Sequence, residues 1–242
     1  ARMRRLDESA EIIMFERGEY ISFANCGLPY YIGETIKERE ALLVQTPEAM
    51  KARFNIDVRV NSDVAGIDVN SKKVTVNSSD RGTYEESYDY IILSPGAKPI
   101  APPIKGIDSS RIYKLRNVPD TDKIKAVVDS KKITSAVVIV GGYIGIETAE
   151  NLKESGIKVT LVEAAPHILA PFDTEMGVIA EKELNDHGVS LILGNGVKGF
   201  EETENNITVE LNDGQNLVTD MVILSIGVSP DTGFLRDSGI NL

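Results

Sequence analysis

Residues 135–163, SAVVIVGGYIGIETAENLKESGIKVTLVE, contain the pattern that decides the fold. Ala136–Val140 is a continuous apolar run, which is typical of a parallel strand covered on both faces. Ile146–Ser155 has helical spacing and stops at Gly156, a common helix C-terminal signal. Val159–Val162 is the next strand. The stretch therefore predicts a βαβ unit with a parallel sheet.

The turn between the first strand and the helix is Gly141-Gly142-Tyr143-Ile144-Gly145. Glycines let the backbone approach a pyrophosphate, and the helix N-terminus supplies N–H donors. Glu163 follows Gly142 by 21 residues, near the offset of about 20 at which an acid bonds a ribose diol. Because a carboxylate repels a 2′-phosphate, the sequence favours NADH over NADPH. Val140 replaces the first glycine of the fingerprint, so a purely structural βαβ unit is the alternative.

Further elements are predicted on both sides of this unit. The predicted helices are Ala1–Leu6, Glu34–Leu43, Thr46–Phe54 and Asp173–His187. The predicted strands are Glu11–Phe15, Val58–Val60, Val64–Val69, Lys73–Val76, Tyr88–Leu93, Val189–Leu193, Ile207–Leu211 and Met221–Ser225. Asn212-Asp213-Gly214 is a hairpin turn. A proline-rich stretch, Pro99–Pro103, and a glycine-proline break, Ile226–Pro230, would bracket an inserted domain.

Composition narrows the function classes. The 242 residues carry a net charge of −11 and one cysteine, which argues against a nucleic-acid binder, a disulfide framework and a multi-cysteine metal site. His167 and His187 belong to no metal-ligand cluster, so no metal site is expected. No apolar run reaches the roughly 18 residues of a membrane span, and we expect a cytoplasmic protein. Both ends resemble interrupted elements, so we expect a fragment of a larger protein.

Cys26 is the lone cysteine, and it has turn formers on both sides, Asn25 and Gly27. We expect it at a helix entrance, where unpaired N–H groups and the helix dipole favour a thiolate. A thiolate attacks disulfides and peroxides. The alternative is a small buried hydrophobic residue.

Four motifs together resemble the pyridine nucleotide–disulfide oxidoreductases, and within them the single-cysteine coenzyme A-disulfide reductases and NADH oxidases. SFANCGLPYYIG at Ser22–Gly33 resembles the active-site segment of the coenzyme A-disulfide reductases. YDYIILSPGAKP at Tyr88–Pro99 and ILSIGVSPDTGFL at Ile223–Leu235 resemble the two crossovers of the flavin domain. GGYIGIETAENL at Gly141–Leu152 resembles the nicotinamide-site motif. The resemblance covers the whole chain.

The resemblance implies an α/β fold with two Rossmann-like FAD/NAD(P)-binding domains, the first incomplete, and a three-layer ββα organisation. Residues 1–103 and 226–242 would form the FAD domain, and residues 104–225 the NAD domain. Cys26 would be catalytic. Coenzyme A would contact Ser22, Asn25, Arg2 and Arg5. The implied cofactor residues are Glu16, Ser94, Pro95, Gly96, Gly141, Gly142, Tyr143, Ile144, Gly145, Glu147, Glu163 and Gly227.

The implied activity is an NADH-dependent, FAD-dependent reduction of coenzyme A disulfide, or of a related persulfide or polysulfide, in a homodimer. The main alternative is an NADH oxidase, in which Cys26 cycles through a sulfenic acid while oxygen is reduced. A non-catalytic nucleotide-binding module is the third hypothesis. Because a flavin glycine loop and a dimerisation domain are absent from the sequence, we expect the fragment itself to retain no FAD and to be inactive.

Overall fold

The computed structural model describes residues 1–236 and 238–240, which form two compact units. Unit 1 contains Ala1–Ala24, Leu43–Ala97 and Pro230–Leu242. Unit 2 contains Asn25–Leu42 and Lys98–Ser229. Residues 241–242, at the end of the chain that the sequence analysis describes as an interrupted element, lie outside the described residues. Within the described part, no helix has the length and apolar character needed to cross a membrane.

The helices are α1 Arg2–Leu6, α2 Leu28–Ile32, α3 Pro47–Phe54, α4 Val118–Asp129, α5 Tyr143–Glu154 and α6 Thr174–Asp186. The strands are β1 Ile13–Phe15, β2 Ser22–Phe23, β3 Leu43–Gln45, β4 Asp57–Arg59, β5 Ser62–Asp68, β6 Lys73–Ser78, β7 Gly82–Ser87, β8 Ala97–Pro99, β9 Ile112–Tyr113, β10 Ser135–Ile139, β11 Lys158–Glu163, β12 Ser190–Leu193, β13 Val197–Glu202, β14 Ile207–Leu211, β15 Asn216–Thr219, β16 Met221–Leu224 and β17 Val228–Pro230.

Unit 2 is built on a five-stranded parallel sheet in the order β12-β11-β10-β16-β9. The apolar run of β10 is buried along most of its length, as the sequence predicts for a strand covered on both faces. Helix α5 connects β10 to the parallel strand β11, so the βαβ unit over residues 135–163 is confirmed.

A second, antiparallel sheet of β13, β14 and β15 covers one face of the parallel sheet in unit 2. The core between the two sheets contains Val137, Val162 and Leu224 from the parallel strands and Phe200 and Val209 from the antiparallel ones. Helix α5 packs on β10 and β11 and buries Ala149 and Leu152. Unit 2 therefore has an antiparallel layer, a parallel layer and a helical layer.

Unit 1 consists of three small sheets. Strands β1 and β4 are parallel, β2 and β3 are antiparallel, and β5, β6 and β7 form a meander. Helix α3 begins where Thr46 Oγ1 accepts a hydrogen bond from Ala49 N, which satisfies one free N–H of the first turn. The core of this unit is a cluster of Ile67, Val74, Val76 and Leu235.

Two predicted elements are wrong. Residues 34–43 do not form a helix, because α2 already ends at Gly33 and Glu34 has a φ of 63°, which a helix does not allow. The segment continues as a short 3₁₀ turn, Arg39–Leu42, and then β3. Tyr88–Leu93 forms no strand either, and its residues follow β7 without regular pairing.

Candidate functional site

The glycine turn of unit 2 lies between β10 and α5. Gly142 caps α5 without any side-chain hydrogen bond, and a Cβ at this position would meet no atom within 4 Å. A Cβ at Gly145 would lie 2.0 Å from the Val140 carbonyl oxygen, and one at Gly141 would lie 2.4 Å from Ile168 Cγ2. The turn therefore leaves space beside Gly142 and packs closely at Gly141 and Gly145, an arrangement that fits a phosphate at the start of α5.

Glu163 closes β11 next to this turn. Its Oε2 accepts a hydrogen bond from Gly141 N at 2.8 Å, and its Oε1 accepts one from Ala165 N at 2.8 Å. A carboxylate offers about four lone-pair sites, so both oxygens keep acceptor capacity for a ribose diol. The sequence proposed only the ribose role. The structure adds that Glu163 holds the glycine turn in place.

Val140 occupies the strained position of the turn. Its φ is 84°, a region that suits glycine and that a β-branched residue rarely adopts. Val140 N donates to Val162 O at 2.8 Å, and its half-buried side chain packs against the core between the two sheets. The backbone at this position therefore has a conformation that is typical of glycine, although the residue is valine. Packing of the valine side chain compensates for part of the resulting strain.

The start of α5 presents aromatic and acidic groups beside the turn. Tyr143 and Ile144 are exposed, and the ring of Tyr143 contacts the Phe172 ring edge-on with centroids 6.2 Å apart. Glu147 lies one turn further along the helix. Burial and, second, the charge of Glu150 raise the pKa of Glu147. A carboxyl group with a raised pKa is typical of functional sites.

Cys26 is a free, exposed thiol in a 3₁₀ turn, Asn25–Gly27, that leads directly into α2. The helix entrance that the sequence predicts is therefore confirmed, although the helix is α2 and not residues 34–43. Asn25 Oδ1 accepts a hydrogen bond from Arg116 Nη1 at 3.3 Å. The charge of Glu147, then burial, raises the pKa of Tyr30, which lies on α2.

The expected flavin residues divide between the two units. In unit 1, Glu16 follows β1, and its Oε1 accepts a hydrogen bond from Gly18 N at 2.7 Å. Ser94, Pro95 and Gly96 precede β8, and Gly96 has a φ of 70°. In unit 2, Gly227 has a φ of 105°, and its carbonyl oxygen accepts a hydrogen bond from Ile100 N.

The residues expected to hold coenzyme A belong to both units. Arg2 and Arg5 lie exposed on α1, and within the described part of the chain neither side chain has a hydrogen bond or ion pair. Ser22 lies in β2 opposite Gln45. Arg4, between the two arginines, is structural instead, because its guanidinium donates to the carbonyl oxygens of residues 8, 54 and 55.

Several site contacts have no local signal in the sequence. Arg39 binds Asp122 and Arg116 binds Asn25, over separations of 83 and 91 residues. The loop after β11 also reaches the glycine turn, where Leu169 N donates to Gly141 O at 2.9 Å. Of the long-range partners named in this subsection, only Glu163 lies at a sequence spacing that is typical of dinucleotide-binding sites.

Comparison with known proteins places the whole chain in one family. The family model described as pyridine nucleotide-disulphide oxidoreductase matches residues 1–242. A coenzyme A disulfide reductase of Staphylococcus haemolyticus (strain JCSC1435) is 34% identical over 243 residues, which is 100% of this chain and 54% of that protein. An NADH oxidase of Enterococcus faecalis (strain ATCC 700802 / V583) is 36% identical over 94% of this chain and 51% of its own length.

The fold is also shared with a solved structure, that of reduced Bacillus anthracis CoADR-RHD. The two are 52% identical with a TM-score of 0.96, and the match covers 100% of this chain and 43% of that one. The mixed α/β architecture thus matches part of a longer FAD/NAD(P)-binding oxidoreductase. The chain spans about half the length of the curated relatives that it matches.

Proposed function

This chain belongs to the pyridine nucleotide–disulphide oxidoreductase family, and from that premise we propose that its full-length protein uses NADH and FAD to reduce coenzyme A disulfide or a related persulfide or polysulfide. The observation that carries the proposal is the free, exposed Cys26 thiol at the entrance to α2. It is the only cysteine, so an external thiol or disulfide is the partner available for exchange.

NADH is the proposed reductant, and unit 2 is its proposed site. The N-terminus of α5, with free space beside Gly142, would hold the pyrophosphate, and Gly141, Tyr143, Ile144 and Gly145 complete the turn. Glu163 would accept hydrogen bonds from the adenosine ribose diol. Its negative charge disfavours a 2′-phosphate, and no lysine or arginine occurs in residues 164–172. Glu147, which has a raised pKa, would lie beside the nicotinamide.

FAD is the proposed electron carrier, and when bound it would pass two electrons from NADH to the sulfur substrate. The chain residues that would contact it are Glu16, Ser94, Pro95, Gly96 and Gly227. With this assignment the protein has two Rossmann-like domains with a ββα organisation, residues 1–103 with 226–242 and residues 104–225. We also propose a homodimer for the full-length protein.

Cys26 would act by thiol–disulfide exchange. Its thiolate attacks one sulfur of the coenzyme A disulfide, forms a mixed disulfide and releases one coenzyme A thiolate. Two electrons then cleave the mixed disulfide, which restores the Cys26 thiolate and releases the second coenzyme A. Overall, NADH, one proton and one disulfide give NAD⁺ and two thiols. Ser22 and Asn25 would bond the pantetheine arm, and Arg2 and Arg5 the phosphates.

The test uses the full-length protein with Cys26→Ser and Arg5→Ala. We expect Cys26→Ser to abolish NADH-dependent disulfide reduction. Arg5→Ala should raise the KM for coenzyme A disulfide with little change in kcat. Lys51→Ala is the matched control, since it removes another exposed cation of unit 1. Disulfide turnover that survives in Cys26→Ser, or equal KM values for Arg5→Ala and the control, would refute the corresponding assignment.

Oxygen reduction is the second candidate, and the NADH oxidase similarity favours it. In that reaction Cys26 would pass through a sulfenic acid. Oxygen needs no cation to bind it, whereas a coenzyme A phosphate does. We therefore expect the rate of disulfide reduction to exceed the rate of oxygen consumption. The reverse order, together with an unchanged KM in Arg5→Ala, would favour the oxidase.

A further inference from the structure

The segment that carries Cys26 packs inside unit 2. This cysteine segment, Asn25–Leu42, buries Leu28, Ile32 and Leu42, with at most 2% of each residue exposed. Its helix α2 contacts both α4 and α5. The ideal Cβ position of Gly33 lies 2.2 Å from Asn151 Oδ1 on α5, so only glycine fits at the end of α2. Apolar packing and close approach therefore hold the middle of the segment.

Polar contacts hold the rest of the segment to α4 and to Arg116, which precedes the N-cap residue of α4. The guanidinium of Arg39 binds the Asp122 carboxylate with both ends, Nη2 to Oδ2 at 2.6 Å and Nε to Oδ1 at 2.9 Å. Lys125 Nζ lies 3.4 Å from Glu34 Oε1 and 5.4 Å from the centroid of the Tyr31 ring. Together with the Arg116–Asn25 bond, these contacts fasten both ends of the segment.

Arg39–Asp122 is a two-pronged ion pair that is partly shielded from solvent. Its two side chains are 30% and 35% exposed, less than those of the Lys182–Asp186 and Lys198–Glu210 pairs of the same unit. A two-pronged arginine–carboxylate contact fixes orientation as well as distance. In addition, it joins residues 83 positions apart, so it adds a long-range constraint that local helix pairs do not.

We propose that the Arg39–Asp122 pair is a positioning contact that holds the cysteine segment on α4 and so keeps Cys26 in place for the sulfur chemistry. The proposal rests on the proposed function for its catalytic consequence. The pair would act through the segment and not by direct contact with the reacting sulfur. Small errors in the placement of a nucleophile reduce turnover strongly, by about a hundredfold for 1 Å. Loss of the pair should therefore act on the step that involves Cys26 and leave the nucleotide site intact.

The first measurement needs no turnover. In the 242-residue chain, Asp122→Asn and Arg39→Ala should speed amide hydrogen exchange in residues 25–42 and change the iodoacetamide alkylation rate of Cys26. Exchange in β10 and β11 should stay unchanged. Asp186→Asn is the matched control, because it breaks the exposed Lys182–Asp186 pair on α6. Arg39→Lys keeps the charge but loses the two-pronged geometry, so it should give an intermediate effect.

The second measurement uses the full-length holoenzyme. We expect Asp122→Asn to lower kcat for disulfide reduction about tenfold or more, with the KM for NADH within twofold of the wild type. Arg39→Lys should recover part of the loss. Faster hydrogen exchange in residues 25–42 together with an unchanged kcat would overturn the positioning role. Unchanged exchange and alkylation in both Asp122→Asn and Arg39→Ala would overturn the proposal, whether or not the enzyme reduces a disulfide. A holoenzyme that reduces no disulfide would refute only the proposed function.

Discussion

Unit 2 and unit 1 differ in how completely their strands are covered. The central parallel strands β10 and β16 of unit 2 are buried along most or all of their length, and nine buried side chains fill the core between the two sheets. In the described part of unit 1 the sheets have two or three strands, and the buried cluster consists of Ile67, Val74, Val76 and Leu235. The apolar stretch around Tyr90 and Ile92 leaves these side chains 93% and 71% exposed. An apolar run thus becomes a strand only where neighbouring strands supply hydrogen bonds and cover.

The sites differ in the same way. In unit 2 the proposed nucleotide residues are fixed by several backbone bonds, as Glu163 is by Gly141 and Ala165. In unit 1 the proposed phosphate ligands Arg2 and Arg5 are exposed side chains on a five-residue helix. We therefore expect the proposed nucleotide residues of unit 2 to be preorganised, and the proposed unit 1 residues to be ordered by their ligands.

The largest expected effect on stability comes from truncating buried side chains in the cores of the two units. Leu211→Ala in β14 should destabilise the chain by about 3 kcal/mol, because it removes a fully buried side chain from the core between the two sheets. Ile67→Ala should cost less, since Ile67 belongs to the smaller cluster. Denaturant unfolding and hydrogen exchange, followed separately for β14 and β5, measure both changes. Equal losses would remove the distinction between the cores.

Asp220 should show the next largest effect. Its Oδ2 accepts bonds from the backbone N–H and hydroxyl groups of Thr134 and Ser135. Burial opposes ionisation, but these bonds outweigh it and lower the pKa of Asp220. We expect Asp220→Ala to cost about 1–2 kcal/mol at pH 7.

The contribution of Asp220 to the free energy of unfolding should depend on pH. A lowered folded pKa means that the stabilisation is full above the unfolded pKa of about 3.9 and is lost as the pH falls through the folded value. The wild type and Asp220→Ala should therefore converge in acid. Asp68 of unit 1, bonded only to Asn70 and Ser71, is the control, and Asp68→Ala should have the smaller effect at pH 7. A pH-independent loss in Asp220→Ala would contradict this account.

Substitutions of Val140 measure the backbone strain in the glycine turn. Alanine is usually more stable than glycine, but at a φ of 84° the order should reverse. We expect Val140→Gly to be about 1 kcal/mol more stable than Val140→Ala, because both lose the side-chain packing and only glycine relieves the backbone. Thermal unfolding of the two variants decides this. An alanine variant at least as stable as the glycine variant would show that the turn is unstrained.

Glu147 should show the smallest effect. Burial, and then Glu150, raises its pKa, so the ionised form is disfavoured in the folded chain. Glu147→Gln should therefore be slightly more stable at pH 7, by about half a kcal/mol. The sign follows from the raised pKa: the cost appears as the pH rises and vanishes below the unfolded value of about 4.3. Glu154→Gln, an exposed position at the end of the same helix that does not contribute to the raised pKa of Glu147, is the control. A destabilised Glu147→Gln at pH 7 would contradict the assignment.

Much of unit 2 could be predicted from the sequence, because its signals are local. The run of β10, the glycines and the position of Glu163 identify the βαβ unit within 29 residues. The hairpin at Asn212–Gly214 was equally clear. Strands β13 and β15 were missed, since their residues alternate weakly and become strands through pairing with β14.

The conformation of the segment that follows Cys26 could not be predicted from the sequence. Lysine, glutamate and leucine in residues 34–43 have good helix propensity, but the left-handed backbone at Glu34 and the Arg39–Asp122 pair decide the conformation. Such contacts depend on α4, which lies about 80 residues away in the sequence and was not itself predicted. Local patterns placed Cys26 at a helix entrance, and tertiary contacts determined which helix.

Unit 2 is the proposed NADH site, and titration calorimetry of the 242-residue chain measures nucleotide binding to it. We expect one NADH bound per chain, weaker binding of NADPH, and a loss of the preference in Glu163→Gln. Tighter binding of NADPH than of NADH, or no binding of either nucleotide to the folded chain, would contradict the proposal.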